Sequence, residues 1–199
     1  MSDTVNTYGV GNLLSKKDNL LRAIRHERPD WVPNGMENVI LVGPPIIERP
    51  GRAGFDDFGV QWAFAEGAKG GTYPVAGGHT IHDIRKWREQ IHLPDVDARD
   101  WSRAREKAEG VDREQFLVEG FVEFGLFERS YLLFGMEEAL VLYLEEPEMM
   151  KEVIEELADY KIQLIRKFHE TAKLDMIWYG DDWGTQTNLF LPESVWREV

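Results

Sequence analysis

Residues 147 to 172 carry the strongest periodicity in the chain: Met150, Val153, Ile154, Leu157, Ile162, Leu164, Ile165 and Phe168 recur at three- and four-residue steps. That spacing gathers apolar side chains on one face of a helix. Pro147 sits where a first-turn proline fits, acids crowd the first half, and Lys161, Arg166, Lys167 and His169 occupy the second, so one long amphipathic helix is predicted. The apolar run LDMIWYG (174–180) follows at once and reads as a strand buried on both faces. After the loop GDDWGTQT, Pro192 starts another helix, PESVWREV. Upstream, NVILV (38–42) and QFLVEGF (115–121) read as strands, the second ending in Glu119 and Gly120. Ser15 or Asp18 caps a short helix through Leu20, Leu21 and Ile24, closed off by Pro29 and Pro33. VQWAF (60–64) and GTYPVAG (71–77) flank GAKGG as a hairpin within an excursion over 55–79, of the kind that shapes a pocket. Helices are predicted over 81–91 and 98–109, with Pro94 stopping the first and Asp97 capping the second. Strands alternating with helices predict a parallel α/β architecture in one domain, 1–199, preceded by a loose leader at 1–14 with Gly9 and Gly11.

Charge narrows the function classes. The chain has 23 Lys plus Arg against 36 Asp plus Glu, a net charge of -13, which repels a phosphate backbone unless a basic face overrides the total. No such face is visible, because the cations have acids within a helical turn, as Lys161 has Glu155 and Glu156. A nucleic-acid partner is therefore not expected. Nor is a membrane: no apolar stretch approaches the roughly 20 residues a span needs, and no charged region followed by an apolar one opens the chain. A cytoplasmic location is the expectation. There is no cysteine, which removes disulfides and thiolate ligands within these residues.

The candidate chemistry lies at the strand ends, where a parallel α/β fold places its ligand crevice. Two predicted strands end in acids: Glu119, with Glu123 just beyond, and the pair Asp181–Asp182. Tyr179-Gly180-Asp181-Asp182 also spells a polymerase signature, but that site needs a tight antiparallel hairpin and a third carboxylate for two metals. Here the chain runs on through a polar loop into a proline-started helix, so the match is accidental. The plain reading of an Asp-Asp pair is a helix cap or a turn. Adjacent residues in extended backbone point to opposite sides, so at most one of the two faces a pocket. His79 and His82 read as loop and surface positions, and His26 and His169 as solvated. Phe121, Phe124, Phe127, Tyr131 and Phe134 form either an apolar pocket wall or core.

Five segments in order, NLLRAIRHERPDWVP, DDFGVQW, IHDIRKWREQIHLPD, YLLFGMEEALVLYLEEPEMMKEV and DMIWYGDDWGTQTNLFLPESVW, resemble the amino-terminal half of the uroporphyrinogen decarboxylase superfamily over most of residues 19–199. The likeness is closer to its corrinoid-dependent methyltransferase branch than to the haem-pathway decarboxylase. The resemblance implies a (β/α)8 TIM barrel of which this chain supplies roughly the amino-terminal half, with its site at the carboxyl-terminal mouth. It implies methyl transfer between a small methylated substrate and a corrinoid on a partner protein. Zinc is possible, with its His and Cys ligands beyond residue 199. Position and chemistry, rather than the resemblance, nominate Asp181, Asp182 and Glu119 as the catalytic acids and Gln186, Tyr179, Glu123 and Phe121 as substrate contacts. The decarboxylase carries an arginine-rich motif after its RPD-x-VP opening; here NGMENVILVGPP has none before Arg49, and Glu37 and Glu48 would repel a tetracarboxylate. Cofactor-free decarboxylation of a smaller acid remains an alternative, needing cations from the missing half. So does a non-catalytic half-barrel module. A complete barrel takes about 250 residues, so the chain is read as a split or truncated product, as one of two halves that assemble, with a homo-oligomer or a second half-barrel chain as partner, or as a fragment of a longer protein, and alone it is expected to be inactive.

Overall fold

The computed structural model describes residues 13–65, 67 and 71–199. Most of the expected leader and residues 68–70 of the hairpin turn lie outside them. Of the two candidate caps, Ser15 opens the first helix, α1 (Lys16–Ile24): its Oγ accepts the Asp18 N–H at 3.0 Å. A single turn, α2 (Gly35–Asn38), is held by a capping box between Asn34 and Glu37 and leads directly into β1 (Val39–Val42).

The excursion forms an antiparallel sheet of β2 (Gly54–Phe55), β3 (Gln61–Phe64) and β4 (Thr72–Pro74), so the hairpin is present with one short strand added. The helix expected over 81–91 shrinks to a 3-10 turn, Ile84–Lys86, and α3 (Trp87–Gln90). Side chains divert the backbone donors there: Gln90 Oε1 accepts the His82 and Asp83 N–H groups at 2.9 and 3.2 Å, and Asp83 accepts that of Arg85 at 3.0 Å. The next helix, α4 (Ser102–Glu109), starts later than predicted. Asp100, not Asp97, accepts the Ser102 N–H at 2.9 Å, while Asp97 is turned outward to Lys167 at 2.8 Å.

Strand β5 (Leu117–Val122) runs two residues past Gly120, so Glu119 sits in mid-strand and Glu123 is the acid just beyond its end. Two helices not anticipated follow, α5 (Leu126–Phe134) and α6 (Met136–Glu145), separated by Gly135 at φ +85°. The long helix α7 (Pro147–Ala172) has the predicted bounds, and β6 (Met176–Tyr179) and α8 (Glu193–Glu198) complete the chain.

Strands β1, β5 and β6 form one parallel sheet in chain order. Val42, Val118 and the α-carbon of Gly120 face a helical layer: α4 packs on β1, α7 on β5, and the two helices on each other. A Cβ on Gly120 would meet Leu174 Cδ1 at 2.5 Å, so glycine lets β5 approach this layer closely. The alternate residues face the other way. There Glu119 is in register with Leu41 and Met176, and Phe121 with Trp178. Trp178 is 48% and Tyr179 39% exposed. The expectation that β6 is buried on both faces is thus corrected: it is an edge strand of this three-stranded sheet.

Candidate functional site

A buried ion network lies behind the strand ends. Lys161 Nζ donates to Glu48 Oε1 and Oε2 at 2.7 and 2.6 Å. Arg129, fully buried, donates to Glu48 Oε2 at 3.2 Å and to Asp56 Oδ2 at 2.9 Å, and lies 3.8 Å from the Phe58 ring centroid. Asp56 also accepts the Phe58 and Val60 N–H groups and the Trp62 indole at 3.0, 2.9 and 3.2 Å. Two cations face two carboxylates, so the cluster is neutral as a whole and fastens the segment after β1 to α5 and α7. Burial pushes the Lys161 amine below its ordinary value, while Glu48 pulls the other way. This corrects two expectations: Lys161 pairs with Glu48 rather than with Glu155 and Glu156, and Glu48 is a compensated buried group rather than a repelling loop acid. Partners 113 residues apart leave no local signature.

The predicted site residues fall into separate groups. Asp181 Oδ2 and Oδ1 accept the N–H groups of Phe127 and Glu128 at 3.1 and 3.0 Å. It supplies the cap that α5 lacks from its own Gly125, because a Cβ there would collide with the Asp181 carboxyl. Asp182 is exposed. Glu128, a buried acid that sequence reasoning missed, has its carboxyl pushed up by burial and then by Asp182 and Asp181. Tyr131 donates its hydroxyl to Glu128 at 3.3 Å. Its position three residues on from Glu128 within one helix is the only local signal that could have found this pair. Gln186 is exposed in the turn closed by the Gly184–Leu189 bridge.

Glu123 lies 3.6 Å from Arg49; burial pushes its carboxyl up and Arg49 opposes the shift. Glu119 is a different case. It is 7% exposed, has no hydrogen-bond or ion-pair partner among the described residues, and is pushed up by burial alone. Phe121 shares its face and meets Trp178 edge-on at 5.7 Å between centroids. Tyr179 points to the opposite face, in register with Val122, with its phenol raised by burial. The aromatics Phe124, Phe127 and Phe134 are core.

His79 lies in a loop, as expected, with its ring centroid 4.7 Å from that of His82. Among the described residues no group of three or more His, Cys, Asp or Glu side chains is arranged to hold a metal. No helix among them is long and apolar enough to cross a membrane. No known protein family, curated protein or solved structure matches the chain.

Proposed function

We propose that the chain forms the amino-terminal part of a (β/α)8 barrel of the uroporphyrinogen decarboxylase superfamily. The completed barrel would move a methyl group from a small substrate, an aryl methyl ether or methylamine, to or from a corrinoid on a partner protein. Strand order is compatible with the barrel: among the described residues β1, β5 and β6 add sequentially and in parallel. A parallel sheet is ordinarily covered on both faces, and the face bearing Glu119 corresponds to a barrel interior.

The observation that carries the chemistry is Glu119, a buried residue whose carboxyl has no hydrogen-bond or ion-pair partner among the described residues and holds its proton to higher pH than an exposed glutamate. A methyl ether or amine is a poor electrophile unless its heteroatom is protonated as the bond to carbon breaks. The corrinoid, when bound, supplies a strong nucleophile for the methyl carbon. Glu119 gives its proton to the departing heteroatom, which keeps the electron pair of the broken bond. Phe121 and Trp178 lie on the same face as Glu119 and supply apolar surface beside it. Asp181 is a positioning residue that ties the end of β6 to α5, while Asp182 and Gln186, both exposed, can orient a polar substrate group.

Decarboxylation of a tetracarboxylate is less well supported, because Arg129 and Lys161 are neutralised by Glu48 and Asp56 and Arg49 lies beside Glu123. The test is methyl transfer to cob(I)alamin, followed by absorbance, with methylamine and an aryl methyl ether as donors to the completed barrel. Glu119→Gln should slow it by about 10²- to 10⁴-fold. An unchanged rate removes Glu119 from the mechanism. A stable complex with a second half-barrel chain that is inert to every donor favours the non-catalytic module.

A further inference from the structure

A cavity of about 470 Å³ opens between the β3–β4 hairpin and the junction of α5 with α6, and none of the strand-end carboxylates lines it. Its size falls within the roughly 300–1,000 Å³ of small-molecule pockets. The accessible walls are apolar, with Pro74, Val75 and Ala76 on the hairpin side and Met136 on the helical side, while Val60, Leu132 and Phe134 lie buried behind them. The ionisable lining is one-sided: among the described residues it is His79, Glu137 and Glu138, besides the Tyr131 phenol, with no Lys or Arg.

Each of these groups is left with unused capacity. Neither His79 ring nitrogen has a hydrogen-bond partner, and neither glutamate has an ion-pair partner, among the described residues. The His79 ring is held against the helix junction because Gly135 has no side chain: a Cβ there would sit 3.0 Å from His79 Nδ1. Burial, reinforced by His82, favours the uncharged imidazole, with Glu138 opposing. An uncharged imidazole offers a lone pair to an N–H donor, and two carboxylates repel an anion while attracting a cation. A purely apolar ligand would use the walls but none of these three groups.

We propose that this cavity binds a small organic cation, an alkylammonium whose N–H groups meet His79 and Glu138 and whose alkyl body lies against Met136, Pro74 and Val75. The inference is independent of methyl transfer, since it uses none of the residues assigned to that reaction. Calorimetric titration of the chain with butylammonium tests it, with pentanoate as the anion of similar shape, alongside NMR of the His79 imidazole. Saturable butylammonium binding that shifts the His79 resonances is expected, with pentanoate at least about tenfold weaker, a difference of about 1.4 kcal/mol. His79→Ala and the double variant Glu137→Gln with Glu138→Gln should each weaken butylammonium by about tenfold or more. The double variant alters exposed helix positions and so decides the matter even where His79→Ala misfolds. Equal binding of pentanoate, no saturable binding of butylammonium, or unchanged affinity in the double variant overturns the proposal.

Discussion

Replacing Lys161 by Met removes one cation from the buried network while leaving a side chain of similar length on α7. Glu48, 5% exposed, then loses two contacts of 2.7 and 2.6 Å and keeps only Arg129 at 3.2 Å, which Asp56 shares. Removing one partner of a buried pair leaves an uncompensated charge and costs about 3–5 kcal/mol. At roughly 2–4 °C per kcal/mol for a chain of this size, the melting temperature should fall by about 6–20 °C. The compensating change is Glu48→Gln, which leaves Arg129 against Asp56 and restores neutrality; replacing a pair as a unit is often nearly neutral. Thermal and urea unfolding, followed by far-UV circular dichroism and tryptophan fluorescence, should therefore show the double variant recovering about 2 kcal/mol or more over Lys161→Met. A single variant within about 1 kcal/mol of the parent, or a double variant no more stable than the single, would refute this account of the cluster.

Two further outcomes follow from the strand-end acids. Asp181→Ala leaves the Phe127 and Glu128 N–H groups uncapped and should cost about 0.5–2 kcal/mol in urea unfolding; no loss would mean α5 does not depend on this contact. The Glu119 carboxyl is raised above 4.5 in the folded chain, so the fold binds its proton more tightly than the unfolded chain does. Its favourable contribution is present below the unfolded value and is lost as pH rises through the folded one. Glu119→Gln should therefore gain stability relative to the parent as pH rises above 4.5, and a difference that is flat across paired melts would contradict the shift.

Local rules recovered what local physics determines. The bounds of α7 were legible because its apolar stripe, first-turn proline and graded charge agree, and the parallel arrangement followed from strands alternating with helices. The helices α5 and α6 were not, since Phe127, Leu132, Leu133 and Phe134 are buried around much of α5 and blur the amphipathic stripe. The end of β5 was misplaced by treating Glu119 as a terminator, although an acid is tolerated in mid-strand on a face that no helix of this layer covers. Lys161 looked like an exposed helix cation with acids beside it, and only the folding of residue 48 onto α7 makes it a core residue. For the site, the sequence pointed to acids near strand ends, but it did not distinguish Asp181, which caps a helix, from Glu119, which has no partner among the described residues.

The most direct test of the proposed chemistry is an NMR titration of the Glu119 side-chain carboxyl carbon, assigned by comparison with Glu119→Gln. A midpoint above 4.5, in a residue whose resonance is otherwise unaffected by removal of neighbouring charges, is the predicted result. A midpoint at or below 4.5 would show an ordinary or stabilised carboxylate and would contradict its role as the proton donor.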